Sequence, residues 1–431
     1  MAQTIFSSSS SSSFIRPSPM VPTTFSSSTR FIRLVPTFKS PNSTRKMSIT
    51  AAHGLNNPSP CLMLPPTFDD CSDDMVYNMY NLAQNKVLKF NNKKLIPEDD
   101  TRIVGSSHGW LALFDERNCD LILTNPVTRR HVKLPPSKSD ISSGVKVIIS
   151  CDAEHEDCQA MMIDVDRRLS FCCPSRSPTE WTPLGALTRT LSLSDVRKRS
   201  YEDIVYSSRH NLFFCVTETY NGDDFEAWDV SSNPPILRWE NRDDLLNYSK
   251  YGKLLDRAAD LLEAETGLWC CSHHTYLVFV EQTDQLFFMT RHIVPQMALD
   301  GSSVEVLGDN SYPYKTVSFD VLKVDWELGG DGGRLSYLDG GSFDGLAMFV
   351  GVNHSFAVLA TEDNGLKPNT IYFTDDKSIT PPKWSDRKYG GHDIGIFDYE
   401  NKTISSCYYP CDLQSFKKII PEPIWFTQSN N

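Results

Sequence analysis

From Gly105 to Pro136 the chain reads GSSHGWLALFDERNCDLILTNPVTRRHVKLPP, and this stretch constrains the fold more than any other. Trp110 to Phe114 is an apolar run. Asp115-Glu116-Arg117-Asn118 is a polar turn. Leu121 to Thr124 returns as a second apolar run, Asn125-Pro126 turns the chain again, and Arg130 to Leu134 alternates charged with apolar before Pro135-Pro136 stops it. Runs this short, joined by turns this tight, pair with their neighbours as hairpins. Together they make about one blade of a β-propeller.

The same grammar recurs along the chain. Cys61 to Leu64 sits among Pro58, Pro60, Pro65 and Pro66 as one strand, and Met75 to Tyr80 pairs with Lys86 to Phe90 around Ala83-Gln84-Asn85. Val145 to Ser150, Ala160 to Val165 and Leu169 to Cys172 follow, separated by acidic turns. Ile204 to Ser207, Leu212 to Val216, Phe225 to Val230 and Ile236 to Trp239 form a further group of strands. Leu245, Leu246, Leu254, Leu255, Ala258, Ala259, Leu261 and Leu262 then recur at helical spacing, with Asn241 as N-cap and Asp243 and Asp244 in the first turn. This predicts a helical insertion at about residues 242–263. Strands resume at Tyr276 to Val280 and Gln285 to Thr290. They continue through Val317 to Trp326, Arg334 to Leu338, Leu346 to Val350, Ser355 to Leu359, Thr370 to Thr374, Gly395 to Tyr399 and Thr403 to Tyr409. Roughly two dozen short strands are too many for one sandwich, and in fours they make six or seven blades. The expected fold is all-β: a single β-propeller over residues 58–428 with one helical insertion, closed by pairing Cys61 to Leu64 with Ile424 to Thr427.

Charge separates the first 50 residues from the rest. They hold Arg16, Arg30, Arg33, Lys39, Arg45 and Lys46 and no acid; the first acidic residue is Asp69. Without those six cations, 36 basic residues face 54 acidic ones, a balance of −18 where the whole chain carries −12. A body this acidic repels phosphate backbones and argues against nucleic-acid binding. The serine run Ser7 to Ser13 and the Ser, Thr, Pro and Arg that follow are the composition of an organellar transit peptide over residues 1–52. The Ser/Thr excess and a cut near Ile49-Thr50-Ala51-Ala52 lean towards chloroplast, while the arginine spacing also permits mitochondrion. No apolar run reaches the length of a membrane span.

Chemistry-bearing residues are few and scattered. The 12 cysteines in a chain this long do not make a disulfide scaffold and read as reduced thiols. Cys151, His155 and Cys158 are ligand types at close spacing, but four acids in the same octapeptide favour a solvated turn, and no second ligand pair follows. Cys270, Cys271, His273 and His274 likewise lack a partner set. Gly329 to Gly333 matches no phosphate-binding motif and reads as a hairpin loop. Asp99-Asp100, Asp223-Asp224 and Asp375-Asp376 read as turn residues. Asn353-His354-Ser355 fits a glycosylation sequon. Trp110 reads as packing between blades, and His108 as hydrogen-bonding across the turn. The expectation is no catalytic, cofactor-binding or metal-binding residue.

Several short motifs, in order and spacing, resemble a plant family, the KIB-type β-propellers (domain of unknown function 295). They are Ser106-Ser107-His108-Gly109-Trp110-Leu111, Leu123 to Thr128, Leu134-Pro135-Pro136 and Gly351 to Phe356. Gly365 to Asn369, Ile371 to Asp376, Asp393 to Phe397 and Pro423 to Phe426 complete the set. The resemblance covers essentially residues 58–428 and implies the propeller fold. Many members carry an F-box and look like substrate receptors of ubiquitin ligases. Here Ala51 to Asp70 is too short and proline-rich for that helical module. The chain is more similar to the organellar, F-box-less branch, which is mainly mitochondrial. The function expected is a non-enzymatic β-propeller interaction module in mitochondrion or chloroplast, binding a protein partner. The alternatives are a ubiquitin-ligase substrate receptor in cytosol or nucleus, and a propeller enzyme with an unrecognised site.

Overall fold

Six sheets stand around one axis in the computed structural model, which describes residues 59–68, 74–93, 101–136, 145–184, 200–219, 222–240, 272–304, 312–326, 334–338, 342–375 and 388–428. The first blade holds β1 (Cys61–Phe68), β2 (Asp74–Asn81) and β3 (Lys86–Lys93). The second holds β4 (Thr101–Ser107), β5 (Trp110–Asp115), β6 (Leu121–Asn125) and β7 (Arg130–Leu134). The third holds β8 (Lys146–Ile149), β9 (Ala160–Ile163), β10 (Leu169–Cys172) and β11 (Thr182–Pro183). The fourth holds β12 (Ser200–Ser207), β13 (Leu212–Thr219), β14 (Gly222–Asp229) and β15 (Ile236–Glu240). The fifth holds β16 (Ser272–Val280), β17 (Gln285–Val294), β18 (Lys315–Asp325) and β19 (Arg334–Tyr337). The sixth holds β20 (Leu346–Val350), β21 (Phe356–Leu359), β22 (Thr370–Phe373), β23 (Gly395–Asp398) and β24 (Thr403–Ser405). The last strand, β25 (Ile424–Phe426), returns to the first blade and lies antiparallel to β1, with Cys61 opposite Phe426, Leu62 opposite Trp425 and Met63 opposite Ile424. The expected closure is therefore present, and the blade number is six.

Strand period and blade packing explain why the strands are apolar on both faces. Successive side chains point to opposite faces of a sheet. In β5, Trp110, Ala112 and Phe114 enter the core between the second and third blades, while Leu111 and Leu113 enter the core between the first and second. In β20, Leu346, Met348 and Val350 pack towards the fifth blade, and Ala347 and Phe349 towards the first. Each of the six junctions carries its own apolar cluster, so the ring is sealed all the way round. At the closing junction Trp425 is fully buried, and its ring meets those of Phe349 at 5.1 Å and Tyr372 at 5.8 Å edge-on.

Some details depart from the sequence reading. Gly105 to Ser107 already belongs to β4, because His108 and Gly109, with φ of +49° and +81°, complete the hairpin by themselves. A methyl group on Gly105 would overlap the carbonyl oxygen of Val147 in β8, so glycine permits the close approach of these two strands. Asp223 and Asp224 pair within β14 rather than forming a turn. In the sixth blade β22 runs parallel to β20, because β21 folds back on one edge of β20 and the chain then crosses to the other. Residues 1–52, the helical insertion at 242–263, Asp99-Asp100, Cys270-Cys271, Gly329 to Gly333 and Asp376 lie outside the described residues.

Trp110 is 1% exposed, and its indole N–H has no acceptor, so packing alone holds it. Trp110→Ala is expected to lower stability by about 3–5 kcal/mol. Urea unfolding checks this; a midpoint unchanged from wild type would contradict the packing role.

Candidate functional site

The propeller axis is occupied by its own chain. Gly351 to Ser355 connects β20 to β21 in the sixth blade, whose ring neighbours are the fifth and first. Yet the His354 amide donates to the Ser106 carbonyl of the second blade at 2.8 Å. The Tyr206 amide of the fourth blade donates to His354 Nε2 at 3.0 Å. Lys146 Nζ of the third blade donates to the Gly351 carbonyl at 3.4 Å. A segment of one blade can reach these three blades only by crossing the centre of the ring. Gly351 has φ of +150°, and a methyl group there would overlap Thr374 Oγ1. A side chain is thus excluded where the segment leaves the sheet.

Burial sets the chemistry of this crossing. Asn353 and Ser355 are fully buried, so the sequon at Asn353 is closed to a glycan. Burial drives the His354 imidazole down to about 3, and the nearby His108 and Lys146 reinforce the shift. His354 is therefore neutral and free to accept from Tyr206. The His108 ring stacks on His354 at 5.8 Å and is itself held low by burial. Its Nε2 has no partner, so the expected hydrogen bond across the turn is replaced by this stacking. Beside them, Lys146 is ion-paired with Asp203 Oδ1, and Asp203 Oδ2 accepts from the Leu277 amide at 2.8 Å. Burial raises the Asp203 carboxyl above its ordinary value against the pull of Lys146 and of the Leu277 and Ile204 amides. The charges at the axis are spent on one another.

A second buried network joins the fifth and sixth blades. Arg291 of β17 is fully buried. It donates to Asp393 Oδ2 at 2.8 Å, Thr316 Oγ1 at 2.6 Å and the Thr374 carbonyl at 2.7 Å. Its guanidinium also lies 4.8 Å from the centre of the Phe373 ring. Thr316 returns two bonds to Asp393 Oδ2, from its amide at 2.9 Å and its hydroxyl at 2.6 Å. Asp375 accepts from the Tyr314 hydroxyl at 2.6 Å and the Asp393 amide at 3.3 Å. Asp393 pairs directly with the guanidinium, while Asp375, bonded to Tyr314 and to the Asp393 amide, only feels its charge. Asp375, expected in a turn, is buried two residues beyond the end of β22.

The remaining sequence candidates are only partly assembled. Cys151 and Cys158 come together at the base of the β8–β9 connection. His155 does not join them: it is exposed at the loop tip, where its Nδ1 accepts from the Asp157 amide at 3.2 Å. His273 meets His292 edge-on at 4.8 Å, and His292 Nε2 pairs with Asp320 at 2.7 Å. Among the described residues no group of three or more His, Cys, Asp or Glu is arranged to hold a metal. Sequence reading missed Lys146, Asp203 and Arg291. The available signal was a charge inside an otherwise apolar strand, as in Phe287-Phe288-Met289-Thr290-Arg291. Two cavities lie at the outer part of the ring. One of about 580 Å3 between the third and fourth blades is lined by Glu156, Asp157, Arg176 and Ser231 among others. One of about 650 Å3 between the second and third includes Lys133, Glu154 and Pro174.

Burial pushes the Asp375 carboxyl up to about 7, with the neighbouring Asp393 adding to the shift and Arg291 opposing it. The unfolded chain releases this proton near the ordinary aspartate value of about 4. The folded chain holds it longer, so this residue's contribution to stability is fully present below that value and lost as pH rises through about 7. Asp375→Asn removes this slope. Relative to wild type, the variant's urea midpoint should rise between about pH 4 and about pH 7 and level off above that; a parallel pair of profiles would contradict the assignment.

A six-bladed ring sealed by its own ends, with its axis filled by a strand connection, defines a β-propeller. The chain belongs to the KIB1-4 beta-propeller family, whose model matches residues 79–398. The family-like motifs at Ser106-Ser107-His108 and Gly351 to Phe356 are the two that meet on the axis. No curated protein matches this sequence. Among solved structures, the Nup133 β-propeller domain of Vanderwaltozyma polyspora is 10% identical, with a TM-score of 0.32 over 64% of this chain and 64% of that one. The match thus spans less than two thirds of that domain. The Cps50 (Swd1) β-propeller domain of Myceliophteria thermophila is 11% identical, with a TM-score of 0.30 over 63% of this chain and 84% of that one. Likenesses this distant carry no argument about activity.

Proposed function

We propose that this protein is a non-enzymatic interaction module of an organelle, delivered by residues 1–52, that binds a protein partner on an end face of the propeller. The observation that carries the reading is the occupied axis. An axial active site needs a concave, water-accessible pocket with polar groups left to act on a substrate. Here Gly351 to Ser355 fills that space, and Lys146, Asp203 and His354 are committed to structural partners. Recognition then falls to the loops and strand edges at the two ends of the ring. The acidic balance outside the first 50 residues favours a partner that presents basic groups. No described helix is long and apolar enough to cross a membrane. Mitochondrion is the destination favoured by the family resemblance, and chloroplast the one favoured by composition.

A reporter fused to residues 1–60 should enter an organelle and be shortened there. Affinity capture of the processed chain from that organelle should retain a protein partner that raised salt displaces. Diffuse cytosolic signal, or capture of a Skp-type adaptor instead, would overturn the reading in favour of a ubiquitin-ligase receptor.

A further inference from the structure

We propose that Cys151 and Cys158 are a thiol–disulfide exchange site, which closes reversibly across the base of the Asp152–Asp157 loop. The pairing follows from the register of the third blade. Ile149 lies opposite Ala160 in the β8–β9 ladder. The ladder continues one step, because the Ser150 amide donates to the Gln159 carbonyl at 2.9 Å. The Gln159 amide then turns to the Ser150 hydroxyl at 3.0 Å. Carried one position beyond the Ser150–Gln159 bond, the same register sets Cys151 against Cys158. Directly opposed residues of antiparallel strands have Cα atoms about 4.5–5.5 Å apart, inside the window of about 4.4–6.8 Å that a disulfide requires. Opposed residues also share a face. Consistent with this, Cys158 is part of the core between the second and third blades, and Cys151 packs on the same cluster. The Cys158 sulfur lies 3.6 Å from the Cys151 carbonyl oxygen.

The two thiols differ as an attacking and a resolving thiol differ. Cys151 is part-exposed and Cys158 is fully buried. Hydrogen bonding from the Cys158 thiol holds Cys151 down at about 6, with help from Ser150. The same contact, with burial, raises Cys158. Cys151 therefore carries the thiolate near neutrality.

The step uses a low-molecular-weight disulfide as oxidant. The Cys151 thiolate attacks one sulfur of that disulfide, whose S–S bond breaks and releases one thiolate. Cys158 then gives its proton to solvent, and its sulfur attacks Cys151 Sγ in the mixed disulfide, releasing the second thiolate. Two protein thiols are oxidised and one external disulfide is reduced to two thiols. Excess reductant reverses the sequence. The bond would tie the two ends of a loop whose Glu154 pairs with Arg130 at 2.6 Å, and whose Glu156 and Asp157 line the cavity between the third and fourth blades.

The test exposes the full-length chain to oxidised glutathione at neutral pH, traps free thiols with an alkylating agent, and maps the peptides by mass spectrometry. The Cys151–Cys158 disulfide should form about tenfold faster than any modification of Cys119 or Cys173, the part-exposed comparison thiols. Cys158→Ser should stop the reaction at a glutathione adduct on Cys151, and dithiothreitol should restore both thiols in the wild type. The proposal is overturned if Cys151 and Cys158 are recovered alkylated while Cys119 or Cys173 reacts, or if Cys151 pairs with another cysteine. The wild-type map decides the matter even if the variant does not fold.

Discussion

His354 stands between opposite sides of the ring. Its amide donates to the second blade through Ser106, and its ring accepts from the fourth through Tyr206, while its own chain belongs to the sixth. Each bond is ordinary in geometry. Their setting is not, because both lie where water is excluded and an unmade bond there costs about 1–3 kcal/mol. The ring must also stay neutral, since the nitrogen that faces the Tyr206 amide has to accept. Burial secures this by holding the imidazole near 3. The central channel of the propeller is thereby converted from a void to a packed, hydrogen-bonded seam.

This seam works together with the closure at β25. A propeller sealed only between its first and last strands concentrates its weakness at one junction. Here the sixth blade is fixed to the first by Trp425 in its aromatic cluster, and to the fifth by Arg291 with Asp393. It is fixed to the second, third and fourth through the axis. One blade therefore touches all the others. The buried carboxylates of the fifth–sixth junction are costly to desolvate and are retained with a full set of donors. Such networks favour one blade order over a slipped one, because a slip would strand Arg291 without Asp393.

The sequence made the strands legible because each β-run is short and bounded by turn chemistry, and because both faces of an inner strand are apolar. Leu111 and Leu113 on one side of β5, and Trp110, Ala112 and Phe114 on the other, are already visible as one apolar run. Closure was legible too, since a lone strand at each end needs a partner. The axial seam was not. Tyr206 and His354 stand 148 residues apart, and no local pattern announces that a connection after β20 will leave its own blade. Gly351 to Phe356 stands out in the sequence as a motif, but nothing local gives its structural cause. Cys151, His155 and Cys158 stand out in the sequence for their ligand chemistry. The hairpin brings the two cysteines together and leaves the imidazole at the exposed tip. A spacing along the chain carries no information about which side of a loop each residue will take.

The central claim is that Gly351 to Ser355 is core rather than loop. Native-state hydrogen exchange of backbone amides tests it most directly, because opening of an exposed connection and of a buried seam differ by most of the unfolding free energy. The account predicts that the amides of His354, Tyr206 and Leu277 exchange with the slowest amides of β5 and β16, and only through global unfolding. Exchange of His354 as fast as that of the exposed Asp300–Ser302 turn would show that the axis is open, and would contradict the account.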